Sequence, residues 1–446
     1  MLHSAAVSER ETTLAGWGNL PVPGREVVSE DLPAITRGAV LSRGLGRSYG
    51  DSSLPPPSRR EVVGTRLADR ILAWDPETGV LRAEAGFSLW EFNRLFLRRG
   101  HFISSTPGTQ FVSLGGMVAA DVHGKGHHKF GGFGSHVRSL RMRVADGTIL
   151  ECGPGREPEL FWATVGGMGL TGHILEVECQ TQKIPSPWIM AESRRIADID
   201  EFVAALKQAS ETFPFCVGWI DCLSRGKRMG RGILDYGRWA EPHEVSRPLP
   251  FTRRVTLPFE FPSRTINRLT TKAFNFMWYW KHVRRHKTGL RHPDNFFYPL
   301  DAVLHWNRVY GRRGFTQYQC VLPGEGSGSA RRFLELLTRR GGASFLCVIK
   351  DCGAQGQGLL SFLRPGISIA LDVPVRDDTQ ALVDALNELV IAEGGRIYLA
   401  KDAFTRPEHY AAMDPRVVHF NHVRDHWDPQ RTIRSAQSVR VLGDPP

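Results

Sequence analysis

Residues 121–132, DVHGKGHHKFGG, set His123, His127 and His128 beside Lys125 and Lys129 among four glycines. Such a mixture serves three kinds of chemistry: metal ligation, phosphate binding, or a loop shaped around some other cofactor. The H-x3-H-H spacing could gather metal ligands on a helix, but Gly124 and Gly126 disfavour a helix there. No H-E-x-x-H or carboxylate ligand follows, so no metal site is expected. Two other glycine loops stand beside this one in the first half of the chain: RGLGRSYGD (43–51) and VGGMGLTG (165–172), with TPGTQFVSLGG leading into the histidines. The first has its glycines one residue off the G-x-G-x-x-G fingerprint, and VVGTR stands where a dinucleotide-binding fold would put an acid. Glycines let backbone N–H groups come close to an anion or a flat ring. Hairpin turns explain each loop singly; their density fits a long cofactor with a pyrophosphate in its middle.

The set RGLGRSYGD, GGMVAADVHGKGHH, FGSHVRSL, ELFWATVGGMGLTG, YPLDAVLHWNR, GFTQYQ and YLAKD resembles flavoproteins of the vanillyl-alcohol oxidase and p-cresol methylhydroxylase type. Within that superfamily it is similar to the oxidase subunits of decaprenylphosphoryl-β-D-ribose 2′-epimerases, over nearly the whole chain. The resemblance implies an α+β fold: a two-part FAD-binding domain, residues 1–184 and 395–446, with an antiparallel-sheet substrate domain, 185–394, inserted. It implies oxidation of the 2-hydroxyl of a polyprenyl-phosphoryl-β-D-ribose to the 2-keto form. A partner short-chain reductase would complete epimerisation to the arabinose form used in cell-wall arabinan. Two alternatives stand beside this reading: a sugar-lactone or alditol oxidase acting on a soluble sugar, and a non-catalytic flavin-binding subunit.

Carried over residue by residue, the resemblance assigns FAD contacts to Arg43, Gly44, Leu45, Gly46, Arg47, Ser48, Tyr49, Gly50 and Asp51. It adds Gly108, Ser113, Leu114, Gly115, Gly116, His123, Gly124, Lys125, Gly126, Ile174 and Tyr398. Gly124 is expected to give clearance to the ring, and His127 and His128 to be structural. In relatives that bind FAD covalently a histidine occupies the position of Ser48; serine cannot make that bond, so non-covalent FAD is expected. Tyr49, His123, Lys125, Gln319 and Lys401 are placed in the catalytic pocket, with Trp219, Trp306, Tyr318, Lys350 and Ala370 binding substrate. Lys401 is the candidate for polarising the hydroxyl, since a desolvated lysine among cations has its pKa lowered toward that of a useful base; otherwise it pairs with Asp402. Two departures stand out. Ser368 and Ala370 replace an asparagine and a cysteine of the mycobacterial members, and Phe297 replaces a tyrosine.

The elements that must position these residues are partly legible. VLRAEAG (80–86) reads as a strand. SLWEFNRLFLRRG follows as a helix with a Ser88/Glu91 capping box, an apolar face of Leu89, Phe92, Leu95 and Phe96, and Gly100 as its stop. VRSLRMRVADGTILEC alternates around an Asp-Gly turn as a hairpin should, PELFWATVGG reads as a short helix, and a boundary falls near residue 185. From there FTQYQCVLP and ISIALDVPV read as alternating strands between amphipathic helices such as SARRFLELLTRRGG, hence an antiparallel sheet with helices on one face.

At 446 residues the chain is long enough for two or three domains. Its seven cysteines are odd in number and lack a C-x-x-C, which indicates reduced, buried thiols. No apolar run is long enough to span a membrane and no secretory signal is visible near the amino terminus. The expected location is cytoplasmic or peripheral to a membrane, on either face. The net charge of +11 is concentrated: Phe251 to His292 holds ten Lys or Arg, one acid (Glu260) and the run FNFMWYW. That mixture suits an anionic membrane interface, or a basic helix packing its aromatics into the core. No nucleic-acid-binding motif accompanies it, so a lipid or phosphate partner is expected rather than nucleic acid.

Overall fold

The computed structural model describes residues 12–446, so residues 1–11 of the stretch searched for a secretory signal lie outside it. Three larger sheets organise the described chain. A four-stranded sheet joins Val22–Val28, Glu61–Gly64 and Ser42–Arg43 in parallel, with Thr12–Leu14 antiparallel at its edge. A five-stranded antiparallel sheet runs in the order 71–75, 80–84, 173–180, 137–143, 149–152. Helix Leu89–Phe96 follows the second of its strands. Ser88 Oγ accepts from the Glu91 N–H, and the Glu91 carboxylate accepts from the Ser88 N–H. Leu89, Phe92 and Phe96 are buried as expected, but Leu95 is 42% exposed and lies outside the packing stripe. The 137–143 and 149–152 strands form the expected hairpin, and Pro158–Thr164 the expected short helix.

The third sheet has eight strands, all antiparallel, in the order 286–291, 189–196, 232–239, 215–220, 347–352, 366–374, 315–322, 396–397. Its last strand, Arg396–Ile397, lies beyond residue 394 in the sequence but is an edge strand of this sheet. Helices Ile199–Thr212, Gly328–Arg339 and Thr379–Ala392 pack on one face. The other face looks into a cavity. Strands Phe315–Leu322 and Gly366–Pro374 are therefore buried on both sides, at every residue. Their alternation is of a different kind from inside and outside: Ile367, Ile369 and Leu371 occupy the face opposite to Ser368, Ala370 and Asp372.

Helix Arg268–Lys281 reverses the usual amphipathic rule. Its buried stripe is Thr271, Asn275 and Tyr279, with Asn275 donating to Asp221 (2.9 Å) and the Tyr279 hydroxyl to the Ile196 carbonyl (3.2 Å). Leu269, Phe276, Met277 and Trp280 are exposed. Core packing of its aromatics holds for Tyr279 and not for Phe274, Phe276, Trp278 or Trp280. Among the described residues, no helix is long and apolar enough to cross a membrane, and all seven cysteines are buried and unpaired.

Candidate active site

The cavity under the large sheet measures about 1500 Å³ and is lined from three directions. The glycine loops supply the first wall. Gly44, Leu45, Gly46, Arg47, Ser48 and Tyr49 line it, as do Gly108, Ser113, Gly115, Gly116, Ile174 and Tyr398. Gly44 is required by close approach, because a Cβ there would overlap Ser113 Oγ. Arg43, Gly50, Asp51 and Leu114 are not part of the lining; they hold the wall in place. Arg43 donates to the carbonyls of Ala15 (2.7 Å) and Ser53, Asp51 pairs with Arg440 (2.7 Å), and Leu114 is wholly buried. A Cβ at Gly50 would overlap the Asp402 carbonyl.

The segment 121–128 forms the second wall. The Asp121 carboxylate accepts from the Gly134 N–H (2.8 Å) and the Ser361 hydroxyl (2.5 Å). The Lys125 carbonyl accepts from the Cys216 N–H (2.9 Å), and His127 Nδ1 from the Gly353 N–H (3.1 Å). His123 and Lys125 line the cavity, whereas Gly124 and Gly126 do not. Gly124 gives clearance to the protein's own chain: a Cβ there would overlap the Thr106 carbonyl oxygen, and at Gly126 it would press on Phe130. His127 and His128 are structural, with His128 Nε2 at 2.8 Å from the Phe213 carbonyl. Among the described residues no cluster of metal-ligating side chains occurs.

The large sheet is the third wall. Period-two alternation brings Gln317, Gln319, Ala370, Val348, Lys350 and Trp219 to one face, beside Phe297, Trp306 and Lys401. Tyr318 does not join them. It sits between Gln317 and Gln319, so its side chain leaves the opposite face, where its hydroxyl donates to Asn387 (2.9 Å) and its ring stacks on Phe333. Gln317 and Asp372, which sequence reasoning passed over, belong to the site. Gln317 Nε2 donates to Asp372 (2.6 Å) and lies 3.4 Å from the Tyr49 hydroxyl, and Tyr310 donates to the other Asp372 oxygen (2.8 Å).

Lys401 follows the edge strand in a turn whose backbone N–H returns to the Tyr398 carbonyl. Its ammonium lies over the Tyr49 ring, 3.9 Å from the centroid. Its neighbour Asp402 is taken by Arg440 (2.9 Å) and by the Phe404 and Thr405 N–H groups, so the pair Lys401–Asp402 does not form. Burial first, then Lys350, lower the Lys401 pKa to about 7 against the opposing pull of Asp372. Lys125 also falls to about 7, again chiefly through burial and Lys350. Burial holds Asp372 up at about 6. Burial first, then the nearby charges of Lys350 and Lys401, hold His123 well below its ordinary value, so it is neutral. Its Nε2 accepts from Gln319 (2.9 Å), which leaves the proton on Nδ1; that atom is buried and has no partner among the described residues.

Residues 34–153 match the family described as FAD binding domain. Over 96% of its length the chain is 34% identical to decaprenylphosphoryl-beta-D-ribose oxidase of Mycolicibacterium smegmatis, spanning 97% of that protein. It is 30% identical to a putative D-arabinono-1,4-lactone oxidase of Neurospora crassa, over 32% of the chain and 25% of that protein. To L-gulonolactone oxidase of Mus musculus it is 30% identical over 25% of each chain.

Proposed function

The chain belongs to the family of decaprenylphosphoryl-β-D-ribose oxidases, and on that premise we propose that it oxidises the 2-hydroxyl of a polyprenyl-phosphoryl-β-D-ribose to the ketone, using FAD. The observation that carries this reading is a likeness extending through the eight-stranded sheet and the lysine-rich cavity floor. The lactone oxidases are matched over only a quarter to a third of the chain and a quarter of their own length.

FAD fits this cavity. Gly44, Gly46, Ser48, Gly108, Ser113, Gly115 and Gly116 put backbone and small side chains on the space, with Leu45 and Arg47 beside them, a wall suited to a pyrophosphate and a flat ring. At about 1500 Å³ the space exceeds the roughly 300–1000 Å³ of a typical single-ligand pocket, so a substrate has room beside it. The His123 Nδ1–H has no acceptor among the described residues, which leaves it free for one on a bound group. When bound, FAD supplies a two-electron acceptor for the hydrogen on the carbinol carbon. The chain's own residues do the rest. Lys401, half neutral near pH 7, accepts the hydroxyl proton and passes it outward. Asp372, through Gln317, keeps Tyr49 and the charge of protonated Lys401 in place. Gln319 is fixed by both His123 and Ser368 (3.2 Å) and orients the sugar hydroxyls. Trp306, Phe297 and Trp219 exclude water from the floor.

The ketone product then requires a reductase to return it as the epimeric alcohol, the role read for a partner. The cofactor-binding half is read as residues up to 184 together with the carboxy-terminal helices. Supporting this, Arg440 pairs with Asp51, and Arg424 donates to the Leu170 carbonyl (3.1 Å). The substrate half is read as residues 185–394, continued by the strand Arg396–Ile397. The helix Arg268–Lys281, with its outward Phe276, Met277 and Trp280, is read as the contact with an anionic membrane. Its last residue Lys281, with Arg284 and Lys287 just beyond it, stands on the cavity rim.

Anaerobic mixing of the FAD-loaded protein with farnesyl-phosphoryl-β-D-ribose is expected to bleach the flavin absorbance, and L-gulono-1,4-lactone at the same concentration is not. Bleaching by the lactone alone would overturn the substrate assignment. Co-sedimentation with anionic but not zwitterionic vesicles tests the membrane reading, and equal recovery with both would refute it.

A further inference from the structure

Lys125 and Lys350 enter the cavity from different walls, one from the 121–126 loop and the other from the strand Cys347–Cys352. Among the described residues neither has an acidic partner within ion-pair distance. The Lys125 ammonium donates to the Phe297 carbonyl (3.1 Å) and lies 6.0 Å from the centre of the Phe296 ring, and among the described residues no hydrogen bond holds the ammonium of Lys350. Several arginines of this sheet are matched: Arg291 pairs with Asp235 (3.1 Å), Arg194 with Glu201 (2.8 Å) and Arg396 with Asp414 (3.6 Å). Two unmatched cations facing one desolvated space are costly unless an anion joins them. Lys125 already gives way, held at about 7, and Lys350 is lowered too, both by burial first.

Position selects the anion. Lys350 lies across the strand pair from Ser368, the residue bonded to Gln319. At about 4.8 Å per strand step, its backbone is roughly 10 Å from the strand of Gln319, within reach of a long side chain. The rim cation Lys287 stands on strand His286–Arg291, four steps away and so about 19 Å off. In a ribose carrying phosphate at its anomeric carbon, the phosphorus is attached next to the carbon that is oxidised. An anion so placed lies over the floor and not at the rim. We infer that Lys125 and Lys350 form the subsite for the phosphate ester of the lipid-linked sugar, fixing which ring carbon meets the oxidant. This inference rests on the substrate reading above.

The test uses the FAD-loaded protein and compares farnesyl phosphate with farnesol, titrated against the flavin spectrum. Wild type is expected to prefer the phosphate. Lys350→Met and Lys125→Met are each expected to lose about tenfold to hundredfold of that preference, the worth of a charge-assisted hydrogen bond, and Lys350→Arg to keep it. An unchanged preference in both methionine variants would overturn the subsite. Loss of FAD from Lys350→Met would also overturn it, because the lysine would then be holding the cofactor's own phosphates. Inorganic phosphate serves as a competitor; displacement as effective as that by farnesyl phosphate would assign the site to free phosphate instead. If these preferences appear but farnesyl-phosphoryl-β-D-ribose leaves the wild-type flavin oxidised, the subsite stands and the substrate reading fails.

Discussion

Replacing Lys401 with methionine is expected to slow the enzyme and to stabilise it. A lysine held at about 7 rather than 10.5 is discharged in the folded state where the unfolded chain keeps its proton. At about 1.36 kcal/mol per pH unit, that penalty is on the order of 4 kcal/mol at pH 7. Lys401 faces the open cavity, so screening reduces it, and the variant forfeits a cation over the Tyr49 ring worth about 0.5–2 kcal/mol. A net gain on the order of 1–2 kcal/mol remains. The direction with pH is fixed. The folded-state pKa lies below the unfolded one, so the penalty is complete below pH 7 and fades as pH rises toward 10.5. The variant's advantage in Tm is therefore largest near pH 6.5 and mostly gone by pH 9, where the penalty has dropped by about 2 kcal/mol before screening. Flavin reduction by substrate is expected to fall by about 10²–10⁴, the usual worth of positioned acid–base assistance. Thermal unfolding of the FAD-saturated proteins at both pH values and anaerobic stopped-flow reduction measure the two effects. An advantage that does not shrink with pH, or a rate loss below about tenfold, would refute the assignment of Lys401 as proton acceptor.

Acid or heat is expected to release FAD intact from the purified protein, because Ser48 offers no nitrogen for a covalent link; flavin retained on the washed precipitate would contradict this. Gly124→Ala, and more so Gly124→Val, is expected to cost about 1–3 kcal/mol and part of the flavin occupancy, through overlap with the Thr106 carbonyl; full occupancy and an unchanged Tm would show that the loop has slack. Tyr318→Phe leaves Asn387 without its hydroxyl donor and is expected to cost about 1–3 kcal/mol of stability with substrate-driven flavin reduction within twofold of wild type. A raised KM at unchanged Tm would return Tyr318 to the pocket.

The capping box at Ser88 and Glu91, the hairpin around Asp146–Gly147 and the three glycine loops were legible because each is a local pattern whose geometry depends on a few adjacent residues. Lys401, Gln319 and His123 were legible through their motifs. The error at Tyr318 was avoidable, since period two forbids Tyr318 and Gln319 from facing the same space, and the same parity would have admitted Gln317 and Asp372. Nothing local announced that the clearance at Gly124 serves the Thr106 carbonyl, a contact made only by the fold. The strands 315–322 and 366–374 hid their two faces because a cavity demands polar side chains where a solvent face would also have them. In helix Arg268–Lys281 composition left two outcomes open, and it is the polar anchors Asn275 and Tyr279, through partners as distant in sequence as Asp221 and Ile196, that turn Phe276, Met277 and Trp280 outward.

That helix also changes how a very long substrate would be handled. Phe274 and Trp278 are stacked on one another, 5.8 Å between ring centres, and belong at once to the cavity wall and to the outer surface. A prenyl tail leaving the pocket could follow these two rings past the rim cations Lys281, Arg284 and Lys287 to the outer surface. Were this helix to rest on a membrane, as proposed above, the head group alone would swing in and out while the far end of the tail stays dissolved where it began. Affinity should grow with the first few isoprene units, those that span the path, and then level off, so that chains differing several-fold in length become equivalent substrates.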